Sequence, residues 1–279
     1  MGIKLTLTRQ PVVPLEAEVL SPDTLAECSA DKLAELIVYH GKRQLPLSEF
    51  FEIEGEKSEE IEICGDLKKV RWIGRAMSRG HLKIEGDVGM HLGAYMRGGQ
   101  IDVHGNAGDW IGSEMKGGLI RVQGDAGGQV GAAYRGSLAG MKGGLIHVTG
   151  SAGLEVGMRM RRGIIVIGGT AKDFTGLQMK GGTIVLAEGA EIRTGAWMNR
   201  GTIISLKALE VMPTFGLATT TFICRPIALS TSTRAILPCP VAVNFSWRLR
   251  DRRQPIFQSA AGVGLLVYFR DFSRKITCH

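Results

Sequence analysis

The chain has 279 residues, of which 39 are glycine and 6% are aromatic, and its formal net charge is +7. So many glycines without a collagen period indicate frequent tight turns. The charge permits an anionic partner, but the sequence carries no recognition helix, zinc finger or stacking aromatics typical of nucleic-acid binding. Its five scattered cysteines fit neither a disulfide framework nor a metal site.

Residues 1–56 are predicted to form a small segment of mixed α and β structure. The start, MGIKLTLTRQ, alternates polar and apolar residues like a strand, with Leu5 and Leu7 on one face, and is not a signal peptide. The stretch SPDTLAECSADKLAELIVYHG predicts one helix that Ser21 or Asp23 could cap and Gly41 ends. FFEIEG, which follows, alternates like a second strand.

Residues 57–208 are predicted to form a parallel β-helix, and the protein therefore belongs to the all-β class. One phrase occurs seven times, each copy opens with a methionine, and the steps between copies are 19, 19, 26, 19, 19 and 19 residues. A fixed period of about 20 residues is typical of a solenoid, and the crossover rule favours a right-handed one. An irregular coil, Ile61 to Gly74, precedes the seven regular coils. We number these one to seven by their methionines, Met77, Met96, Met115, Met141, Met160, Met179 and Met198.

Each coil is predicted to contain one strand whose alternate side chains face the interior. The residues five after the methionine are Leu82, Ile101, Ile120, Ile146, Ile165, Ile184 and Ile203. The residues seven after it are Ile84, Val103, Val122, Val148, Ile167, Leu186 and Ser205. A second, weaker strand is expected before a repeated glycine, which indicates either a corner with positive φ or a place where backbones approach closely. These glycines are Gly93, Gly112, Gly131, Gly157, Gly176 and Gly195.

A basic ladder is predicted at one corner of coils two to six, where a cation always follows the methionine. Its members are Arg97, Lys116, Lys142, Arg161 and Lys180. Neighbouring coils stack about 4.8 Å apart, so these like charges repel one another. The ladder is either a solvated basic edge or a track for a polyanion or an acidic protein surface.

Two further features indicate contacts with a partner. The residue six after the methionine is polar in coils one to four and apolar in the last three, as Val166, Val185 and Ile204. An apolar outer face is expected to be covered, either by this chain's own C-terminal tail or by another polypeptide. The longer step inserts seven residues between coils three and four, and with Tyr134 and Arg135 this insertion is either a docking loop or a harmless addition.

Neither a metal site nor a catalytic group is predicted. The four histidines within the coils occupy different positions, so stacking does not bring them together, and no nucleophile–base arrangement stands out. Residues 209–279 carry no repeat and are expected to form an irregular tail. The longest apolar stretch, Ala260 to Phe269, is too short to span a bilayer, so we expect a soluble protein. The scattered cysteines indicate reduced thiols and therefore the cytoplasm.

The repeated phrase resembles that of a known family. MRGGQIDVHGNAGDWIG, MKGGLIRVQGDAGGQVG and MKGGLIHVTGSAGLEVG are similar to the GXGXG repeat of the C-terminal β-helix of the glutamate synthase large subunit and of the C subunit of formylmethanofuran dehydrogenase. The second resemblance is closer, because LTLTRQPVVPLEAEVLSPD, LPLSEFFEIEGE and the PTF at 213–215 also match. It covers residues 4 to 215, and beyond Pro226 the tail departs from the family's arginine-rich end.

The resemblance implies a non-catalytic scaffold subunit within a larger assembly of one-carbon metabolism. It implies amidohydrolase-like, formyltransferase and pterin-protein-like partner subunits, which carry the zinc and any molybdenum or tungsten pterin. In the bacterial version, a formyltransferase/hydrolase complex, formyl groups pass from tetrahydromethanopterin through a furan coenzyme to formate. Because such coenzymes carry glutamate-rich tails, the basic ladder from Arg97 to Lys180 could guide one.

Two other interpretations stay open at this point. One is a self-contained β-helix enzyme, such as an acyltransferase or a carbonic anhydrase-like trimer. Such an enzyme needs coils of 18 residues with a six-residue sub-period, and histidines that meet at an interface. The 19-residue step disfavours it. A separate β-helix subunit of glutamate synthase type is disfavoured by the N-terminal segment and by PTF.

Overall fold

One long parallel sheet runs through the molecule and sets the positions of its surface residues. The computed structural model describes residues 2–210, Met212 and the backbone of residues 264–268. The strands are β1 (Ile3–Leu7), β2 (Leu15–Glu16), β3 (Ile37–His40), β4 (Arg43–Pro46), β5 (Phe51–Glu54), β6 (Glu60–Cys64), β7 (Val70–Arg71), β8 (His81–Glu85), β9 (Gln100–Val103), β10 (Leu119–Val122), β11 (Lys142–Val148), β12 (Arg162–Ile167), β13 (Lys180–Leu186), β14 (Arg200–Ser205) and β15 (Gly264–Tyr268). The helices are α1 (Pro22–Leu25), α2 (Ala30–Glu35) and a 3-10 turn at Leu47–Glu49.

The order of the strands confirms the parallel β-helix. The large sheet runs β5, β1, β6 and then β8 to β15 in chain order, and every pair from β1 to β15 is parallel. Strands β8 to β14 belong to coils one to seven, and the irregular coil that contains β6 brings the solenoid to about eight turns. The 26-residue step does not shift the sheet, because Ile120 of β10 stays opposite Ile146 of β11.

The interior is a stack of aliphatic layers, as the alternation predicts. Ile120 and Ile146 are fully buried, and the residues in the same two positions of the other regular coils are buried with them. Each buried aliphatic side chain contributes about 1.5–3 kcal/mol to folding. The methionines are buried too, and those of coils one to six each pack under a glycine of the next coil. A Cβ on Gly99, where φ is +78°, would lie 2.6 Å from Cε of Met77. The repeated glycine is therefore required both by its backbone and by its neighbour.

The predicted second strand is reduced to a single bridging residue in the irregular coil and in each of coils one to six. Isolated parallel bridges link one residue per coil, running Leu67, Val88, Ala107, Ala126, Ala152, Ala171 and Ala190. Past this ladder of bridges the chain turns through the predicted corner glycine, with φ of +61° at Gly93 and +58° at Gly112. A Cβ on Gly93 would lie 2.5 Å from Cδ1 of Ile120, so the predicted positive-φ corner is confirmed.

Two further positions of the coil adopt positive φ without glycine. The residues fourteen after the methionine, and their equivalent in the irregular coil, have φ between 58° and 68°: Trp72, His91, Trp110, Gln129, Glu155, Phe174 and Arg193. The residues just before six of the methionines have φ between 52° and 60°: Ala76, Tyr95, Glu114, Arg159, Gln178 and Trp197. Left-handed backbone costs about 1–2 kcal/mol per residue, and the stacked coils maintain it through backbone hydrogen bonds between neighbours.

The single long helix predicted near residues 21–41 is wrong. The chain forms two short helices, α1 and α2, and then leaves helical geometry at Leu36, where ψ is 133°. The following Ile37–His40, rich in β-branched and aromatic residues, forms β3, which pairs with β4 through a turn at Gly41. Pairing with β2 and β4 outweighs the local helical pattern, and Gly41 closes a hairpin rather than a helix.

The N-terminal segment is part of the solenoid's sheet. Strand β1 pairs in parallel with β6, and β5 pairs with β1 in the antiparallel sense. Asp23 does not cap a long helix; its carboxylate accepts hydrogen bonds from the amide and the hydroxyl of Ser78 in coil one. At the other end, the backbone of β15 pairs in parallel with β14. The rest of the predicted irregular tail, including residues 213–215, lies outside the described residues.

Candidate interaction surfaces

The five predicted ladder residues stack on one corner of the solenoid. The backbone N–H of each donates to the carbonyl oxygen of the methionine one coil earlier, at 2.7 Å for Lys116 on Met96 and 2.8 Å for Lys180 on Met160. All five side chains are exposed. Two arginines one residue further along, Arg162 and Arg200, stand beside Lys142 and Lys180 in the sheet register. The sequence spacing therefore predicted this column correctly.

The ladder cations have no carboxylate partner among residues 2–210, whereas the cations at the N-terminal end of the corner do. Arg79 of coil one lies 3.0 Å from Glu27 and 3.4 Å from Glu59, and Arg75 pairs with Glu18. The N-terminal segment thus neutralises the beginning of the corner and leaves the ladder from Arg97 onwards to solvent. An uncompensated row of cations raises the local concentration of anions.

Two open grooves lie along this corner. The first is lined by Glu18, Arg75, Ala76, Tyr95, Arg97 and Lys116. The second is lined by Arg161, Arg162, Lys180, Gly181, Gly182 and Arg200, so that four cations and two glycines surround one depression. Neither groove is enclosed, so both suit an extended anionic ligand better than a small buried one.

The apolar outer face includes more residues than the three predicted from the sequence. Val166, Val185 and Ile204 stand in register on β12, β13 and β14, point away from the core and are partly exposed. A second row on the same face, four residues after the methionine, consists of Leu119, Leu145 and Ile164. Ile164 is 42% exposed. The repeat could have revealed this row, since it too keeps a constant position within the coil.

The first coils of the same face carry a network of ion pairs instead. His81 bridges Glu60 at 2.9 Å and Asp102 at 2.7 Å, and Asp102 also faces Arg121. Burial alone would raise the pKa of Asp102, but hydrogen bonds from Gln100 and His81 hold it below its usual value. This half of the face is compensated by its own residues.

The inserted loop is fixed against the solenoid by its tyrosine. The ring of Tyr134 stacks on Trp110 at 5.0 Å between centroids, and its hydroxyl lies 2.9 Å from Nδ1 of His91. Burial raises the pKa of Tyr134 and lowers that of His91. Arg135 is exposed, and Leu138 beside it is 70% exposed. The loop therefore presents Arg135 and Leu138 to solvent, while Tyr134 contacts its own chain.

The aromatic cluster under this loop was not predicted. Trp72, His91 and Trp110 occupy the same positive-φ position of three successive coils, and Trp72 stacks on His91 with 4.2 Å between ring centroids. Their constant position in the coil is a signal that a column-by-column comparison could have found.

Within the part of the chain that the structure describes, no three His, Cys, Asp or Glu side chains gather as metal ligands. In those same residues no helix is long and apolar enough to cross a bilayer; the longest, α2, has six residues.

Curated relatives match part of the repeat. This chain is 43% identical over 85 residues to the C subunit of molybdenum-containing formylmethanofuran dehydrogenase 1 from Methanosarcina barkeri. The aligned region covers 29% of this chain and 28% of the relative. The chain is 41% identical over 97 positions to the C subunit of tungsten-containing formylmethanofuran dehydrogenase 2 from Methanothermobacter thermautotrophicus, 33% of this chain and 36% of that one. The matches thus span only about a third of these relatives' own length.

A solved structure matches over nearly the whole chain. It is a chain in the X-ray crystal structure of the formyltransferase/hydrolase complex (FhcABCD) from Methylorubrum extorquens in complex with methylofuran, with a TM-score of 0.81 and 29% identity, covering 96% of this chain and 100% of the other. The sequence profile of the GXGXG motif matches residues 64–213, more than half of the chain. The chain belongs to the GXGXG motif family.

Proposed function

We propose that this protein is a non-catalytic scaffold subunit of a formyltransferase/hydrolase or formylmethanofuran dehydrogenase complex in tetrahydromethanopterin-linked one-carbon metabolism. One observation carries the proposal: the fold, including the N-terminal segment, matches a chain of the Methylorubrum complex over that chain's full length. Similarity of the repeat to the C subunit of the methanogen enzymes supports the same conclusion.

In the proposed assembly the chemistry belongs to the partner subunits. These are an amidohydrolase-like, a formyltransferase and a pterin-protein-like subunit, with zinc and any molybdenum or tungsten pterin bound there. The solenoid offers them a rigid body, because its coils are joined by the parallel sheet, the row of bridges and the buried aliphatic stack. The insertion, through Arg135 and Leu138, is one proposed contact.

The basic ladder has a proposed role in handling the coenzyme. We expect a furan coenzyme with a glutamate-rich tail to follow Arg97, Lys116, Lys142, Arg161 and Lys180 on its way between active sites of other subunits. The support is physical: the five cations are exposed, stacked and without carboxylate partners among residues 2–210, and two open grooves adjoin them.

Affinity purification of the full chain from its own host tests the scaffold role. We expect amidohydrolase-like, formyltransferase and pterin-protein-like subunits to co-purify in a constant ratio, as identified and quantified by mass spectrometry. Recovery of the chain alone, as a homotrimer, would contradict the proposal and favour a self-contained β-helix enzyme.

Charge reversal tests the coenzyme track separately. Lys116→Glu with Lys142→Glu is expected to lower turnover of the polyglutamylated coenzyme by the intact complex and to flatten its dependence on salt, because screened attraction is removed. Lys172→Glu, an exposed lysine outside the ladder, is the matched control. If the double variant turns over the coenzyme like the control, with the same salt dependence, the track does not exist.

A further inference from the structure

We infer that the outer face of β10 to β14 is the docking site of a different polypeptide of the complex, one that presents an apolar strip bordered by carboxylates. The inference rests on the proposed scaffold function and deepens it, because it names the face that the partner covers and the chemistry of the partner's surface. The core fills the inner side of the sheet, while on the outer side Ile164 is exposed and Val185 is partly exposed.

The two apolar rows together form one patch. Five adjacent strands at about 4.8 Å each give a patch about 20 Å long that crosses the face diagonally. The rows are Leu119, Leu145 and Ile164, and Val166, Val185 and Ile204. The two rows overlap on β12, where Ile164 and Val166 both face outward. Beside the first row stand Arg121 and His147, and beside the second stand Thr183 and Thr202. Contiguous exposed apolar surface of this kind is typical of protein-binding sites. A flat, hydrogen-bonded sheet holds these side chains in fixed positions, which lowers the entropic cost of binding.

A row of cations borders the patch on one side. Lys142, Arg162, Lys180 and Arg200 stand near the beginning of β11, β12, β13 and β14, the same strands whose later residues form the patch. None of the four has a carboxylate partner within residues 2–210. On the other side, the first acid after β13, Glu188, is already bound by Lys207. A surface that covers the patch therefore meets uncompensated positive charge on this side, which favours carboxylates there.

Charge separates this occupant from a second copy of the chain. Face-to-face pairing of two copies would bring two cation rows to one interface, and these strands contain no acid to compensate them. The ion-pair network on the first coils is satisfied internally by Glu60, His81, Asp102 and Arg121, so it supplies no free carboxylate either. An isologous dimer on this face would thus bury like charges, whereas an acid-bordered partner would pair them.

Site-specific photo-cross-linking within the complex purified from its host tests the occupant. A photoreactive residue at Ile164, 42% exposed, is expected to cross-link to another subunit, at a peptide with apolar residues next to Asp or Glu. The matched control is Ile192, 51% exposed and outside these strands, which is not expected to give that adduct. A cross-link from Ile164 to a second copy of this chain, or to this chain's own residues after 210, would overturn the inference, as would no cross-link.

Substitution gives an independent measure of the same contact. Ile164→Asp with Val185→Asp is expected to reduce the recovered partner at least about tenfold, since charge would be buried against apolar surface, while Ile192→Asp leaves recovery unchanged. An unchanged thermal transition in the patch variant shows that the solenoid still folds. If the wild-type chain recovers its partners and the patch variant does too, only the docking face is wrong. If the wild-type chain recovers none, the scaffold function itself fails, and the docking face with it.

Discussion

The hydroxyl of Tyr134, in the loop between coils three and four, lies 2.9 Å from Nδ1 of His91, which belongs to coil one. This contact spans 43 residues of sequence and folds the insertion back over two earlier coils. The ring also stacks on Trp110, and the guanidinium of Arg159 donates to the carbonyl oxygen of Ser137 at 2.6 Å. The insertion is therefore an ordered part of the solenoid surface with one fixed exposed edge.

Removal of the Tyr134 ring is expected to lower the free energy of unfolding by about 2–4 kcal/mol, because a partly buried aromatic side chain is lost. Tyr134→Phe keeps the ring and loses one hydrogen bond, so its cost should be about 1 kcal/mol. Urea unfolding of Tyr134→Ala, Tyr134→Phe and the control Arg135→Ala measures both effects. A loss for Arg135→Ala as large as that for Tyr134→Ala would contradict the anchoring role.

Stability is expected to fall in mild acid because of two histidines. Burial lowers the pKa of His91 and of His147 below the ordinary value of 6.5. At pH values between the folded and the unfolded pKa of these histidines, the unfolded chain binds more protons than the folded chain. The free energy of unfolding therefore decreases as the pH falls through 6.5 and levels off below the folded pKa values. His91→Phe with His147→Gln should flatten this slope in unfolding curves from about pH 8 to about pH 5. An unchanged slope would show that other groups cause it.

The features that repeat along the sequence were predictable. The 19-residue step gives the stack of Ile120 on Ile146 and the column of ladder cations directly, since equivalent positions must coincide in a solenoid. The apolar row of Leu119, Leu145 and Ile164 was less readable, because the same position is polar in the other four coils, as His81, Gln100, Thr183 and Thr202.

The features that depend on how distant segments meet were not predictable from local pattern. Ile37–His40 continues a helical pattern in sequence, yet it forms β3 because β2 and β4 lie beside it. The orientation of the Tyr134 side chain depends on the column of aromatic rings formed by Trp72, His91 and Trp110. That column arises only when three coils are stacked. In both cases tertiary contacts of modest size outweigh local propensities of a few tenths of a kcal/mol per residue.

Two glycines separate the cost of backbone strain from the cost of a clash. Gly136 and Gly99 both have positive φ, +87° and +78°. A Cβ on Gly136 would meet nothing within 4 Å, whereas a Cβ on Gly99 would lie 2.6 Å from Cε of Met77 and 2.8 Å from the carbonyl oxygen of Gly80. Gly136→Ala should therefore cost only the strain, about 1–2 kcal/mol. Gly99→Ala should cost clearly more, because Met77 and the backbone must both move. Equal unfolding midpoints for the two variants would refute the packing role of the repeated glycine.

The attachment of the N-terminal segment is expected to depend on Asp23. Its carboxylate accepts the Ser78 amide at 2.6 Å and the Ser78 hydroxyl at 2.5 Å, and it lies 3.8 Å from Arg79. Asp23→Ala leaves an amide and a cation without this partner, at a cost of about 1–3 kcal/mol. Because β1 and β5 are held separately in the sheet, the loss should appear locally, as faster amide exchange in α1 and at Ser78. Asp31→Ala, an exposed acid in α2, is the control, and the same exchange pattern in both variants would exclude the role of Asp23.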